Sequence, residues 1–221
     1  MKTRHLIAAS LLALGAAAAH ANIGSSFGSG LEGWTGAGGT VSYVASGGNG
    51  GGYLSQTDTL NTWMNVSAPA AFLGNLSAYL GGVLSFDAKN ISNHASDLQS
   101  GPWFGAVTIT GAAGSASRNV AGTGPGLPLA DGLWRSYSAP LSPALWSGNL
   151  ANVLANTTAI TLTLEFNSAI IETAGLDNFQ ISPVPEPASA LLLALGLGSL
   201  GAAASRRHAA AARRNRQADM A

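Results

Sequence analysis

Few side chains in this sequence are able to do chemistry, and their spacing narrows the choice further. Glu165 and Glu172 stand seven residues apart. Two carboxylates flanking a glycosidic bond are what its hydrolysis needs, one as acid and one as base or nucleophile. Here they lie on and just after one strand-like run, separated by a turn, so only an accident of folding would aim both at a substrate. His94 and Asp97 form a second pairing within "NISNHASDLQSG". That stretch consists of loop formers, and a solvated loop is the better reading. No Gly-x-Ser-x-Gly elbow, His-Glu-x-x-His helix or phosphate-binding loop is present. There is no cysteine, which removes thiol chemistry and disulfides together. The residues point to a protein that is not an enzyme.

The tryptophans are the other candidates. Trp34, Trp63, Trp103, Trp134 and Trp146 sit beside turn residues or at strand ends. Aromatic rings in such places either plug the ends of a core or stack on sugar rings. Trp63, Trp103 and Trp134 are the candidate carbohydrate-binding residues. Trp103, between Pro102 and Phe104, is the one expected to be partly exposed. Asp177, in "GLDNF", is a further polar candidate, and an Asx residue there also caps a turn through its own backbone.

Two ends of the chain are addresses rather than parts of a fold. Lys2, Arg4 and the free amine precede the apolar run Leu6 to Ala19, and Ala19-His20-Ala21 has the small-x-small pattern of a signal peptidase site. Residues 1–21 therefore read as a secretory signal helix, with signal peptidase as a partner and Asn22 as the mature N-terminus. At the other end, Ala188 to Ala204 carry no charge. This run of about 17 residues makes roughly 25 Å of helix, at the short edge of what crosses a bilayer. Arg206 and Arg207 follow, then Arg213, Arg214 and Arg216. Cationic flanks stay on the cytoplasmic side, which leaves everything before Pro185 outside.

Between the addresses lie about 163 residues, enough for one domain with a real core. Within them eight acids face three bases, Lys89, Arg118 and Arg135, a net charge of −5. Nucleic acid is excluded as a partner, because phosphate binding needs a basic surface. Short runs rich in β-branched and aromatic residues recur between Gly, Asn and Pro. "TVSYVAS" alternates Val41 and Tyr43 with polar neighbours. "GGVLSFDAKN" sets Leu84, Phe86 and Ala88 against Val83, Ser85 and Asp87. "WFGAVTITG" carries Val107 and Ile109. "AITLTLEFNS" is the clearest, with Ile160, Leu162, Leu164 and Phe166 inward and Thr161, Thr163, Glu165 and Asn167 outward. "LDNFQIS" closes the domain. Helix is scarce, one turn in "APAAFLGNLSAYLG" and a short helix in "PALWSGNLANVLAN". With no βαβ alternation, the pattern predicts an all-β antiparallel sandwich.

Two resemblances add to this. The ending Val184-Pro185-Glu186-Pro187, a short apolar helix and then Arg206 and Arg207 resembles the PEP-CTERM sorting signal, over residues 184–207. Residues 208–221 form a basic cytoplasmic tail longer than is usual for that signal. The resemblance implies an exopolysaccharide-making Gram-negative bacterium. It also implies an exosortase that recognises the chain at the inner membrane, cuts near the motif and passes the domain outward. In the middle, residues 22–183 resemble the laminin B domain (laminin domain IV). The landmarks are Phe27 with Glu32-Gly33-Trp34, Tyr53-Leu54, Trp63, "VTITG", "WRSYSAPLSPALW" and "GLDNF". That implies a jelly-roll, galactose-binding-like sandwich with a structural or adhesive role in the exopolysaccharide matrix. The alternative role is a carbohydrate-binding module taking exopolysaccharide on surface aromatics. Jelly-roll modules often hold a structural calcium on a last-strand Asp and a carboxylate near the first strand, which would here be Asp177 and Glu32. The position after Phe27, usually acidic in those modules, is Gly28.

Overall fold

The computed structural model describes residues 20–59, 63–92, 103–122, 128–167 and 170–184, with the isolated positions Gly196 and Gly198. The signal helix before His20, the sorting residues Pro185, Glu186, Pro187, Arg206 and Arg207, the basic tail, and His94 and Asp97 lie outside the described residues. Among the described residues, no helix is long and apolar enough to cross a membrane.

Alternating runs become strands where the alternation predicted them. In chain order these are β1 (Ile23–Ser25), β2 (Thr35–Ala37), β3 (Gly39–Val44), β4 (Tyr53–Asp58), β5 (Asn65–Ser67), β6 (Val83–Asn90), β7 (Ala106–Gly111), β8 (Gly114–Asn119), β9 (Arg135–Pro140), β10 (Thr157–Thr163) and β11 (Thr173–Ser182). One short helix, α1 (Leu150–Leu154), starts where the Asn149 side chain accepts the N–H of Asn152, a cap that satisfies one of the donors left over in a first turn. The "APAAFLGNLSAYLG" stretch makes two single 3-10 turns, Ala70–Phe72 and Ser77–Tyr79.

All pairings are antiparallel, in two sheets. One runs β3-β4-β11-β6-β9, with β1 taking up the edge of β11 beyond the end of β4; the other runs β2-β5-β10-β7-β8. The sandwich predicted from the sequence is therefore the fold. β11 is its spine, pairing with β4, β6 and β1. Its two ends define two poles. Thr173 begins at the pole where β4 and β6 end and β5 and β7 begin. Ser182 ends at the pole where β6 begins and β9 ends.

Between the sheets, Leu54, Leu84, Phe86, Ile109, Ile160, Leu162, Leu176 and Ile181 are fully or almost fully buried. Aromatic rings tie the loops to β11. Phe179 lies 4.9 Å from Trp34, 5.3 Å from Phe72 and 6.3 Å from Phe86, centroid to centroid. The Trp34 indole N–H, buried with its ring, donates to the Ser25 hydroxyl at 2.9 Å. Truncating a hub such as Phe179 to Ala costs about 3–5 kcal/mol, from lost transfer energy and the cavity left behind.

One expectation about β10 fails. Glu165 and Asn167 do not face water: they are 0% and 5% exposed. The strand ends at Thr163, so strict alternation no longer governs the next four residues. The chain there turns its polar side chains into the pole of the sandwich, where backbone N–H groups await acceptors.

Candidate functional site

The outer face of the larger sheet carries a network of polar side chains. β6 and β11 pair Asp87 with Asp177, and the register then slips before Gln180 meets Ser85. The slip is a β-bulge at Asn178, whose φ is 48°. Asn tolerates this left-handed conformation better than most residues. The extra residue turns Phe179 into the core and leaves both Asp177 and Asn178 on the outer side.

Both aspartates are closed in by donors. Asp177, 1% exposed, accepts the backbone N–H of Asn49 at 2.7 Å on one oxygen and that of Asn178 at 2.8 Å on the other. Asp87 accepts the side-chain amides of Asn49 and Asn178, at 2.9 and 2.8 Å, and the hydroxyl of Ser136. The glycine loop between β3 and β4 is thus pinned onto the sheet. Glycine is required at its contact point: a Cβ on Gly48 would come within 2.7 Å of the Asp177 carboxylate and 2.3 Å of the Gly52 carbonyl. Burial pushes the Asp177 carboxyl above the usual carboxylate range; the N–H groups of Asn178 and Asn49 pull the other way, and the charges of Asp87 and Glu32 add to the rise.

Next to this network lies an aromatic rest. Trp134, half-buried, meets the Tyr53 ring edge-to-face at 5.3 Å. Its indole N–H donates to the Gly47 carbonyl at 2.9 Å. The Lys89 ammonium lies 4.8 Å from the Tyr53 centroid and 4.7 Å from that of Trp134. Trp134 covers Gly175, where a Cβ would sit 2.9 Å from the indole. On the other side of Asp87, a cavity of about 560 Å³ opens between β1, β11, β6 and β9. Its polar lining comes from Ser26, Ser85, Asp87, Ser136, Asn178 and Gln180. Lys89 and Asp87 are two residues apart on β6, so the aromatic rest and the cavity are about 7 Å apart along the strand.

The structure separates the three candidate tryptophans. Trp63 and Trp103 come together, centroids 5.2 Å apart and planes at 76°, just before β5 and β7. Trp134 lies on the outer face of the other sheet. Trp63, not Trp103, is the more open of the pair, at 47% exposed. Glu32 does approach Asp177, near enough for its charge to act there. It also accepts the N–H of Gly28 at 3.0 Å, so the acid missing after Phe27 is supplied from four residues further on. A calcium ion would suit these oxygens by type. N–H donors sit on both oxygens of Asp177, and among the described residues no three acidic or histidine side chains are grouped to hold an ion.

A second acidic group occupies the pole where β11 begins. Glu165 and Glu172 are both 0% exposed and Asp58 is 3% exposed, and the charge of Glu165 acts on Glu172. Glu165 accepts the N–H of Met64 at 3.1 Å, and Glu172 accepts those of Phe166 and Asn167 at 2.7 and 3.1 Å. The other oxygen of each glutamate has no hydrogen-bond partner among the described residues. Burial holds the Glu172 carboxyl up at about 8 against its two N–H donors, with Glu165 and Asp58 pushing the same way. Glu165 is also raised, chiefly by burial, with Asp58 adding to it.

Asp87, Asn49, Asn178, Ser136, Lys89 and Tyr53 were not singled out from the sequence. The available signal was Asn49 inside "SGGNGGG", one polar side chain in a run that must lie close against something.

Comparison with known proteins agrees with the fold. No curated protein matches the chain. The family 30 carbohydrate-binding module of the cellulosomal cellulase Cel9D-Cel44B of Clostridium thermocellum shares the fold, with a TM-score of 0.54, 14% identity, and coverage of 76% of this chain and 100% of that one. Another family 30 carbohydrate-binding module aligns with a TM-score of 0.53 and 15% identity, over 76% of this chain and 90% of that one. The L4b domain of human laminin alpha-2 aligns more loosely, with a TM-score of 0.44 and 10% identity, over 58% of this chain and 79% of that one. Residues 183–207 match the PEP-CTERM protein-sorting motif, so the chain is an exported β-sandwich carrying a PEP-CTERM sorting signal.

Proposed function

We propose that this protein is a non-catalytic polysaccharide-binding module of the cell surface, and that it takes its ligand on the outer face of the larger sheet. The observation that carries the reading is the adjacency of the Trp134–Tyr53 rest and the hydroxyl- and amide-lined cavity on one pinned surface. A sugar ring offers an apolar face to an aromatic ring and hydroxyls to serine, asparagine and glutamine side chains, and this surface presents both within a strand's reach. The carboxylates nearby are already engaged as acceptors, so they order the surface and are not poised to transfer protons. The domain's net negative charge favours a neutral ligand over a polyanion. The sorting motif supplies the setting. The chain is held in the inner membrane, cut by an exosortase near Pro187, and delivered to the exopolysaccharide outside.

The test is to titrate the mature protein with exopolysaccharide of the producing cell while following tryptophan fluorescence. Retention on an immobilised polysaccharide that Trp134→Ala loses and Trp63→Ala keeps supports the reading. No binding by the parent protein leaves the purely structural, adhesive role. Intact-mass measurement of surface material tests the processing: protein still ending at Ala221 contradicts it.

A further inference from the structure

We propose that the corner of the sandwich from which both chain ends leave rests on the outer surface of the lipid bilayer while the protein is anchored, with Leu80, Val83 and Val184 as its contacts. The inference rests on the sorting reading above.

β1 and β11 pair antiparallel with Ile23 opposite Ile181. The residues where an N-terminal signal and a C-terminal anchor join the domain are therefore neighbours. Val184 lies against Gly81, with its Cγ2 3.2 Å from where a Cβ would stand. The turn at Leu80–Gly82 is closed onto Leu141 by two backbone hydrogen bonds of 2.8 Å, and Val83 pairs with Pro140. Four segments thus form one corner.

Two properties set that corner apart. Leu80, Val83 and Val184 are 37%, 38% and 51% exposed. Single exposed aliphatics need no explanation, but a group of them at the place where the membrane anchor leaves the domain does. The corner also lacks charge. Residues 20–24, 76–84, 138–145 and 180–184 contain no Asp, Glu, Lys or Arg, although the domain as a whole is at −5. An acidic surface is repelled by anionic headgroups, and a charged one is costly to desolvate there. Three side chains hold nothing by themselves. On a tether the contact is intramolecular, and a weak contact then suffices. Cutting the tether removes that advantage, so release follows from cleavage without a further step.

The chain has no cysteine, so single-cysteine variants report cleanly. Leu80→Cys, Val83→Cys and Ile171→Cys proteins spanning residues 22–221, each carrying an environment-sensitive fluorophore, would be reconstituted in phosphatidylethanolamine–phosphatidylglycerol vesicles containing headgroup nitroxide lipid. Ile171 is the control: it is 61% exposed but lies at the opposite end of the ten-residue β11, roughly 30 Å away. Quenching of the 80 and 83 labels at least twofold above that of the 171 label is expected. Equal quenching at all three positions, in protein that floats with the vesicles, overturns this proposal and leaves the anchoring intact. Protein that fails to float overturns both.

Discussion

Asp87 and Asp177 on the outer face, and Asp58, Glu165 and Glu172 in the far pole, are both buried acidic groups in one domain, and they differ in what meets their oxygens. On the outer face the bulge at Asn178, the loop around Asn49 and Ser136 of β9 bring a donor to each oxygen of Asp177 and Asp87. In the pole, Glu165 and Glu172 each have one oxygen on backbone N–H groups and one with no partner among the described residues. The lesson is that burial alone does not decide what a carboxylate does. With its oxygens matched, an acid becomes a pin that orders a surface. With an oxygen left over beside another acid, it keeps its proton.

The largest expected effect comes from breaking the second arrangement. Glu172 titrates at about 8 when folded, against an ordinary 4.5. Its folded value is raised, so the neutral form suits the fold. As pH climbs from 4.5 to 8 the unfolded chain releases this proton while the folded chain holds it, and stability falls over that window. Each pH unit is worth up to about 1.4 kcal/mol. Glu172→Gln keeps an acceptor for Phe166 and Asn167 and cannot ionise. It should therefore match the parent protein near pH 4.5 and exceed it by on the order of 3 kcal/mol at pH 8, a rise in melting temperature of several degrees. Melting curves for the two proteins that keep a constant separation from pH 4.5 to 8 would break the contrast.

Next comes the opposite operation on the outer face. Asp177→Ala removes the acceptor for the N–H groups of Asn49 and Asn178. Buried donors left unpaired should lower stability by about 2 kcal/mol in denaturant unfolding at pH 7. A neutral result would mean that the loop is held without this pin.

A smaller effect sharpens the functional side. Trp134→Ala should weaken polysaccharide binding about tenfold, near 1.4 kcal/mol, whereas Trp63→Ala should leave the affinity as it was. Equal losses from both would move the ligand away from the outer face. The smallest effect expected is that of calcium. With donors on both oxygens of Asp177, melting curves with millimolar calcium and with chelator should overlay. A calcium-dependent rise, lost in Asp177→Asn, would show that an ion replaces those donors and that Glu32 joins it.

The alternating runs of β3, β6, β7 and β10 fixed the architecture in advance, because period-two hydrophobicity tells which face of a strand is buried without reference to its partner. The sorting signal was legible for a similar reason: prolines, an uncharged run and arginines act through local chemistry, and the match over residues 183–207 needs no fold. The site was only partly legible. Trp134 was named, but Trp63 and Trp103 were placed with it, since nothing in spacing says that these two precede β5 and β7 of the other sheet.

What the sequence determined by itself is therefore the set of properties that act along the chain: the strand pattern, the acidity of the domain, the absence of thiols and the C-terminal sorting signal. Tertiary structure decided everything that depends on which distant residues meet. Alternation through "LDNF" sets Asn178 inward, and only pairing with β6, with its bulge, turns it out beside Asp87. Alternation through "LEFN" sets Glu165 outward, and only the end of β10 at the pole, where the N–H of Met64 needs an acceptor, draws it in. In both places the chain gives up its local period because a backbone group or a carboxylate from far along the sequence has to be satisfied, and that requirement exists only once the sheets have met.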